Sequence, residues 1–209
     1  LEELTTALSA EEDIAVSYAR QLPEKDSGEI EKYTRQFNYP EESCVKGKGQ
    51  LPEMGIKTYF CSNVCAAYKK EVFRKLGGFE RHVNFNEDML FAAKAVQAGW
   101  KIAYCAGAKV YHCHNYTCAE QFHRNFDNGV SQAQHPEVFK GLPSESEGVK
   151  LVKQTAAHLC SIHKPWLVLR LFAESAAKYA GFFLGRRYKS LPAGVVRACA
   201  MNKDYWKQV

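Results

Sequence analysis

The spacing of apolar and polar residues predicts an α/β chain whose strands lie within its first 117 residues. Ile14, Val16 and Tyr18 alternate with other residues along IAVSYARQLP (14–23), which predicts a strand that ends in a loop. The apolar run FCSNVCAAY (60–68) predicts a second, buried strand. Two short strands are predicted at KIAYCA (101–106) and KVYHCHNYT (109–117), and the polar segment 24–57 is predicted to be mostly loop.

Helices are predicted between these strands and dominate the C-terminal part of the chain. KKEVFRKLGGF (69–79) and EDMLFAAKAVQAG (87–99) predict helices that end at glycines, which favour the left-handed conformation of a helix C-cap. Other helices are predicted for the opening LEELTTAL, at 29–37, near 118–128, and at 149–163, 166–188 and 193–201. We therefore expect two domains, an α/β part at 1–144 and a basic, mostly helical region at 145–209.

The composition excludes several classes of protein. With 46% hydrophobic and 12% aromatic residues, the chain is neither disordered nor fibrous. The longest apolar segment is interrupted by Arg170, Glu174 and Lys178, so no membrane span is expected. Eight cysteines and no recognisable signal peptide favour buried free thiols in a reducing compartment, and hence a cytoplasmic location. Nucleic-acid binding is not expected, because the basic residues lie on helices without an aromatic stacking pattern.

Charge is distributed unevenly along the chain. Residues 149–209 carry eleven Lys and Arg against two acids, a net charge of +9, whereas the rest carries −4. An apolar stripe with Leu167, Leu171 and Phe172 is flanked by basic residues in this region. Such helices can lie on an anionic membrane surface, on the inner face of the membrane if the protein is cytoplasmic. The alternative is a helical subdomain that packs on the α/β body and exposes its Lys and Arg side chains to water.

The adjacent acids Glu87 and Asp88 in FNEDMLF can be interpreted in two ways. Asn86 is a good N-cap, and acids in a first helical turn are stabilised by the helix dipole. The same dipole would lower the pKa of a base at this position, so that Asp88 stays ionised at neutral pH. An ionised carboxylate can still remove the proton of a sugar hydroxyl that becomes acidic in the transition state. We expect Asp88 and His112 to open onto the same cleft.

The HCH segment offers two imidazoles as ligands. In a strand, His112 and His114 would share one face and could bind a metal or a phosphate, with Cys113 on the other face. Two hydrogen-bonded structural histidines are the alternative. Asn63 in SNVC is equally compatible with turn chemistry, and Arg20 with a solvated charge.

Taken together, LGGFE, FNEDMLFAAKAVQAGWKIAY and AKVYHCHNYT, with ARQLP and RQFNYP, resemble one family. They are similar to the C-terminal half of family-2 inverting glycosyltransferases of the GT-A fold, and most similar to bacterial rhamnosyltransferases that extend cell-surface polysaccharides. The resemblance covers nearly the whole chain. It implies a partial GT-A fold that lacks the N-terminal nucleotide-binding half and is followed by a mostly helical region.

The resemblance also implies roles for individual residues. Asp88 would be the catalytic base that deprotonates the acceptor hydroxyl, and Glu87 would hold the acceptor sugar. Asn63 lies where relatives often carry an acid near the acceptor, and Arg20 would lie near the floor of the site. His112 and His114 would serve the metal and diphosphate region.

The implied cofactors are a nucleotide-sugar donor such as dTDP-rhamnose and a divalent metal, Mg²⁺ or Mn²⁺, with a saccharide or lipid-linked acceptor. The family's Asp-x-Asp metal anchor does not occur in the sequence. Since these metals favour oxygen ligands, we expect the 209-residue chain alone to be nearly inactive. The alternatives are a non-catalytic metal- or phosphate-binding module that uses His112 and His114, and a membrane adaptor that uses the basic helices.

Overall fold

A computed structural model describes residues 1–142 and 145–207 and divides into two compact units. The first unit comprises chiefly residues 1–80 and 87–113. The second comprises residues 81–86 and 114–141 with the helices that follow residue 145. The predicted domain boundary at residue 144 stays a prediction. In the structure, helices that precede it belong to the second, helical unit.

The first unit is built around a four-stranded mixed sheet. Its strands are β1 (Ile14–Leu22), β2 (Cys44–Lys46), β3 (Ala66–Tyr68) and β4 (Lys101–Tyr111), in the spatial order β2-β4-β1-β3. The central strands β1 and β4 are parallel, and the two short edge strands run antiparallel to their neighbours. This unit also contains the helices α1 (Glu2–Ala10), α2 (Glu29–Asn38), α3 (Leu51–Met54), α4 (Lys70–Lys75) and α5 (Glu87–Gln97).

Two apolar clusters stabilise this unit. Leu4 and Leu8 of α1 pack on Ile14, Ala19 and neighbouring residues of the central strands. A set of aromatic rings lies in edge-to-face or tilted contact, with centroids 4.9–5.8 Å apart, and comprises Tyr68, Phe73, Phe79 and Phe91. Phe91, in α5, is almost completely buried, which contributes about 1.5–3 kcal/mol. The ring cluster therefore anchors the helix whose first residues are Glu87 and Asp88.

The structure corrects three of the predicted strands. The run 60–68 contributes only Ala66–Tyr68 to the sheet, because the side chains of Ser62 and Asn63 bond to other side chains in a turn. The segments 101–106 and 109–117 form one strand that ends at Tyr111, with a register shift opposite Ala19 and Arg20. Strand β2 lies within the segment predicted to be loop, and it is too short to show an alternating pattern.

The second unit is helical. It contains α6 (Cys118–Gln134), α7 (Pro136–Phe139), α8 (Glu145–Ser161), α9 (Leu167–Gly185) and α10 (Ala193–Cys199). Thr117 caps α6 in a capping box with Glu120. Helices α6 and α9 approach closely because Gly181 of α9 faces the backbone of Phe122, where a Cβ atom would overlap the carbonyl oxygen. None of the helices formed by residues 1–142 and 145–207 is long and apolar enough to cross a membrane.

Two further expectations are corrected. Leu171 of the predicted apolar stripe is buried within the helical unit, whereas Phe172 is exposed. The eight cysteines all lie in described segments and no disulfide joins any two of them, but only Cys61 and Cys105 are buried. The fold class is thus α/β with a four-stranded mixed sheet and many helices. The partial GT-A fold stays a prediction.

Candidate active site

Asp88 is held at the start of α5 by backbone donors. The amide of Asn63 donates to Oδ2 over 3.0 Å, and the amide of Met89 donates to Oδ1 over 2.7 Å. Asp88 is half-buried as a residue, and Asn63 beside it is exposed. Asp88 is therefore fixed in position next to a residue that solvent reaches.

The expected direction of the Asp88 pKa is wrong. Burial raises the pKa of this carboxyl above its ordinary value of 3.8, and the backbone amides of Asn63 and Met89 oppose the shift by bonding to the ionised form. The negative charge of Glu87 raises the pKa further. Loss of water around the carboxylate thus outweighs the stabilisation from amides at the helix start. A raised pKa makes Asp88 a stronger base once it is ionised.

Glu87 belongs to a chain of side-chain hydrogen bonds. Its Oε1 accepts from Nδ2 of Asn63 over 3.2 Å, and Oδ1 of Asn63 accepts from the hydroxyl of Tyr68. Asn63 therefore bridges both acids, through its backbone to Asp88 and through its side chain to Glu87. The structure brings together three of the predicted site residues, Asn63, Glu87 and Asp88. Tyr68 was missed because the sequence predicts a continuous strand through this segment.

A buried thiol lies close to this group. Burial raises the pKa of Cys61 to about 12, and the charge of Asp88 adds to the shift. Burial likewise raises the pKa of Tyr68 well above its ordinary range, with further contributions from Cys61 and Asp88. Cys61 is therefore protonated at neutral pH, which excludes it as a thiolate nucleophile. A carboxylate base suits this cluster better than covalent chemistry does.

Two of the motifs that carry the family resemblance meet behind Asn63. Gln21 of ARQLP donates to Oγ of Ser62 over 2.6 Å, and Arg35 of RQFNYP donates to Oε1 of Gln21. Arg35 is itself held by Glu31 over 2.7 Å. Ser62 precedes Asn63, so this network fixes the turn that presents Asn63 to the two acids. Side chains of these two motifs thus stabilise the turn that carries Asn63.

Lys46, in the edge strand β2, stabilises the segment that precedes Asn63. Its side chain is 2% exposed, and its ammonium donates to the Tyr18 hydroxyl and to the carbonyls of Lys57 and Phe60. The ammonium also lies 4.9 Å from the centroid of the Tyr18 ring. Burial lowers the pKa of Lys46 to about 8. A buried cation therefore fixes the chain that leads to Cys61 and Asn63, and no sequence signal in the polar segment 24–57 marks it.

Arg20 is engaged elsewhere. Its Nη2 lies 3.0 Å from Oε1 of Glu41, an exposed acid, and its buried Nε has no hydrogen-bond partner among residues 1–142 and 145–207. Its guanidinium also lowers the pKa of Tyr104, although burial raises that pKa overall. The acceptor-binding role of Arg20 stays a prediction.

His112 and His114 do not share the face of a strand, because neither residue is in a strand. Strand β4 ends at Tyr111, and the backbone amide of His112 still donates to the carbonyl of Leu22 over 3.0 Å. His114 lies in the helical unit, where its ring stacks on Tyr116 with centroids 4.8 Å apart. The diphosphate and metal roles of both residues stay predictions, as does a cleft shared by His112 and Asp88.

A metal centre does not fit the side chains that the structure places together. Within residues 1–142 and 145–207, no three His, Cys, Asp or Glu side chains converge as a ligand set. Asp88 already accepts two backbone hydrogen bonds, and Glu87 accepts one from Asn63. Mg²⁺ and Mn²⁺ need several oxygen ligands, and the described side chains around Asp88 and Glu87 do not converge as such a set.

Comparison with known proteins identifies two relatives. The chain is 42% identical over 197 residues to the O-antigen chain rhamnosyltransferase RfbN of Salmonella typhimurium strain LT2, covering 94% of the chain and 62% of that protein. It is 39% identical over 210 aligned positions to the O-antigen chain rhamnosyltransferase WbaN of Salmonella anatum, covering 100% of the chain and 66% of that protein. The chain thus spans just under two thirds of the length of these relatives.

No protein-family model matches the chain, and no solved structure matches it either. The similarity to the two relatives extends along almost the whole chain.

Proposed function

We propose that this chain forms the acceptor side of an inverting glycosyltransferase that moves rhamnose from a nucleotide-diphosphate donor to a saccharide or lipid-linked acceptor. The observation that carries the proposal is the position of Asp88, half-buried at the start of α5 and fixed by the backbone amide of Asn63. The two relatives, each named an O-antigen chain rhamnosyltransferase, support rhamnose as the sugar and a polysaccharide as the product.

Asp88 acts as the general base in this proposal. An acceptor hydroxyl within hydrogen-bond reach of its carboxylate loses its proton to Asp88 as the oxygen attacks the anomeric carbon. The nucleoside diphosphate departs from the opposite face, so the configuration at that carbon is inverted. Positioned general bases contribute about 10²–10⁴-fold to rate. Glu87, oriented by Asn63, accepts a hydrogen bond from a second hydroxyl of the acceptor and so orients the sugar.

In this proposal the complete active site also binds a donor and a metal. The donor is a nucleotide sugar such as dTDP-rhamnose. The metal is Mg²⁺ or Mn²⁺, and its ligands include residues other than Glu87 and Asp88. We expect the 209-residue chain alone to transfer little sugar, because its described residues do not form a carboxylate-based metal site. A cytoplasmic location stays a prediction of the cysteine pattern.

The substitution Asp88→Asn tests the proposal. It is made in a longer protein, the extended chain, which adds the sequence that the relatives carry outside the matched region. With dTDP-rhamnose and an oligosaccharide acceptor, we expect kcat to fall by about 10²–10⁴-fold while the Kd of the donor stays within about twofold. Asp26→Asn, which neutralises an exposed aspartate elsewhere in the α/β unit, is the matched control and should leave kcat unchanged. Equal rates in both variants would contradict a base at position 88.

The non-catalytic binding module remains the second candidate. It predicts that the extended chain binds a nucleotide sugar without turning it over, and that Asp88→Asn has no consequence. Formation of a glycosylated product is the deciding measurement, and an inverted anomeric configuration in that product is expected from the in-line displacement proposed above.

A further inference from the structure

Helix α9 exposes an apolar face opposite the face that packs in the helical unit. Its buried residues include Leu171, Glu174, Gly181, Phe182 and Gly185, which cluster on one side at 100° per residue. On the opposite side, the most exposed large apolar residues are Leu169 (78%), Phe172 (56%), Tyr179 (60%) and Phe183 (40%). Trp166, directly before the helix, is 65% exposed. We call these five residues the α9 stripe.

The exposed side of α9 carries no acid. All of its exposed residues are Leu, Phe, Tyr or Ala, apart from Arg170. The sole acid of the helix, Glu174, is turned into the unit and accepts from Arg170 over 2.8 Å. Water-exposed helix faces normally carry mixed charges, so a face of this composition indicates a surface that is covered in use.

Basic side chains border the α9 stripe at its C-terminal end. The guanidinium of Arg187 lies 3.6 Å from the centroid of the Phe183 ring, and that ring lies 6.0 Å from the ring of Tyr179. Arg186 and Lys189 are also exposed there. The region 149–209, which contains all of these residues, has a net charge of +9. The combination therefore favours an occupant that is both apolar and anionic.

We propose that the α9 stripe docks the protein on an anionic lipid bilayer, with α9 lying in the plane of the interface. Leu and Phe would enter the boundary between headgroups and acyl chains, Trp166 and Tyr179 would lie at headgroup level, and the Arg and Lys side chains would contact lipid phosphates. A second copy of the chain is a poorer occupant, because stacking two such faces would bring like charges together. This proposal rests on the exposed face of α9 and is independent of the role of Asp88.

Vesicle co-sedimentation with the 209-residue chain tests the proposal. The probes are phosphatidylcholine vesicles with and without one third phosphatidylglycerol. We expect binding to the anionic vesicles that weakens as salt is raised, and at least tenfold weaker binding to the neutral ones. We also expect the fluorescence of Trp166 to shift to shorter wavelength on binding, a change absent from Trp166→Phe. Absence of binding to anionic vesicles, or equal binding to both kinds, would overturn the proposal.

A matched pair of substitutions distinguishes vesicle binding through the α9 stripe from nonspecific adsorption. Tyr179→Ser and Tyr111→Ser remove the same side chain from positions that are 60% and 66% exposed, and only the first lies on α9. We expect Tyr179→Ser to weaken vesicle binding about fivefold or more and Tyr111→Ser to leave it unchanged. Equal effects would contradict the proposal, provided that thermal unfolding shows both variants folded. Light scattering could instead show a dimer that Tyr179→Ser dissociates, with no vesicle binding. That result would assign the α9 stripe to contact with a second copy and overturn the bilayer proposal.

Discussion

The backbone amide of Asn63 donates a hydrogen bond of 3.0 Å to Oδ2 of Asp88. The two residues are 25 positions apart, and the bond joins the turn after Cys61 to the first turn of α5. Because the donor is a main-chain group, this hydrogen bond can form with any side chain at position 63 except that of proline. The side chain of Asn63 instead serves Glu87 and Tyr68. Substitution of the Asn63 side chain can therefore test the role of Glu87 separately from that of Asp88.

Asn63→Ala is expected to affect acceptor binding more than chemistry. The variant keeps the amide that holds Asp88 and loses the Nδ2 donor that holds Glu87. In the extended chain, we expect KM for the acceptor to rise about three- to tenfold, as for the loss of one hydrogen bond, while kcat changes less than twofold. Steady-state kinetics with varied acceptor measures both. A fall in kcat as large as that in Asp88→Asn would show that the side chain, and not the amide, positions the base.

Glu87→Gln is expected to lower the pKa of Asp88. The charge of Glu87 is one of the causes that raise this pKa, so its removal leaves burial as the main one. The effect can be followed in the 209-residue chain by carboxyl ¹³C chemical shifts during a pH titration, without any activity. Glu80→Gln, which neutralises a more exposed acid paired with Lys94, is the control and should leave the Asp88 titration unchanged.

The same titration has a consequence for stability. The folded chain binds a proton at Asp88 more readily than the unfolded chain does, because the folded pKa is raised above 3.8. The contribution of Asp88 to the free energy of unfolding is therefore greatest below pH 3.8 and declines as pH rises through the raised pKa. We expect Glu87→Gln to reduce this decline. An unchanged Asp88 titration in Glu87→Gln would mean that the two carboxylates do not interact.

The elements around the site could largely be predicted from the sequence. Strand β1 and helices α2 and α5 lie within one or two residues of their predicted limits, because polar residues, Gly or Pro bound the apolar segment of each. The glycines predicted to end helices α4 and α5 do so, with positive φ at Gly77, Gly78 and Gly99. Such boundary residues can be recognised within a single segment, and that information suffices for these elements.

The arrangement of the site could not be predicted in the same way. The interaction of Tyr68, Asn63 and Glu87 depends on a turn inside a segment whose composition is that of a buried strand. The sequence predicts the wrong direction for the pKa of Asp88, because it shows the start of the helix but not the packing that removes water from the carboxylate. Lys46 illustrates the same limit, since its acceptors come from two distant segments, Tyr18 in β1 and the carbonyls of Lys57 and Phe60.

Lys46→Met is expected to remove a pH-dependent part of the stability. Lys46 has a pKa lowered by burial from 10.5 to about 8, so between these values the unfolded chain binds a proton that the folded chain lacks. The free energy of unfolding of the original chain should therefore rise between pH 8 and 10.5, by up to about 3 kcal/mol from this group. In Lys46→Met this rise should be absent. Urea unfolding at pH 7, 8, 9 and 10 measures the difference between the two chains.

The comparison between chains is needed because other groups titrate in the same range. Tyr18 and Cys61 have pKa values raised by burial, so they make the folded state less favourable at high pH in both chains. Lys70→Met, at an exposed position of α4, controls for the loss of a positive charge. Parallel pH profiles for the original chain and Lys46→Met would show that the ammonium of Lys46 is not buried.

Gly181→Ala is expected to destabilise the helical unit. Alanine is the better helix former by about 0.8–1.0 kcal/mol, but here its Cβ would overlap the carbonyl of Phe122 in α6. The two helices would have to move apart, at a cost of about 1–3 kcal/mol, so the net effect should be a lower midpoint of thermal unfolding. Gly148→Ala is the matched control, because Gly148 is an exposed residue of α8 with open space at its Cβ position. There the midpoint should rise. A rise in both variants would contradict the close approach of α6 and α9.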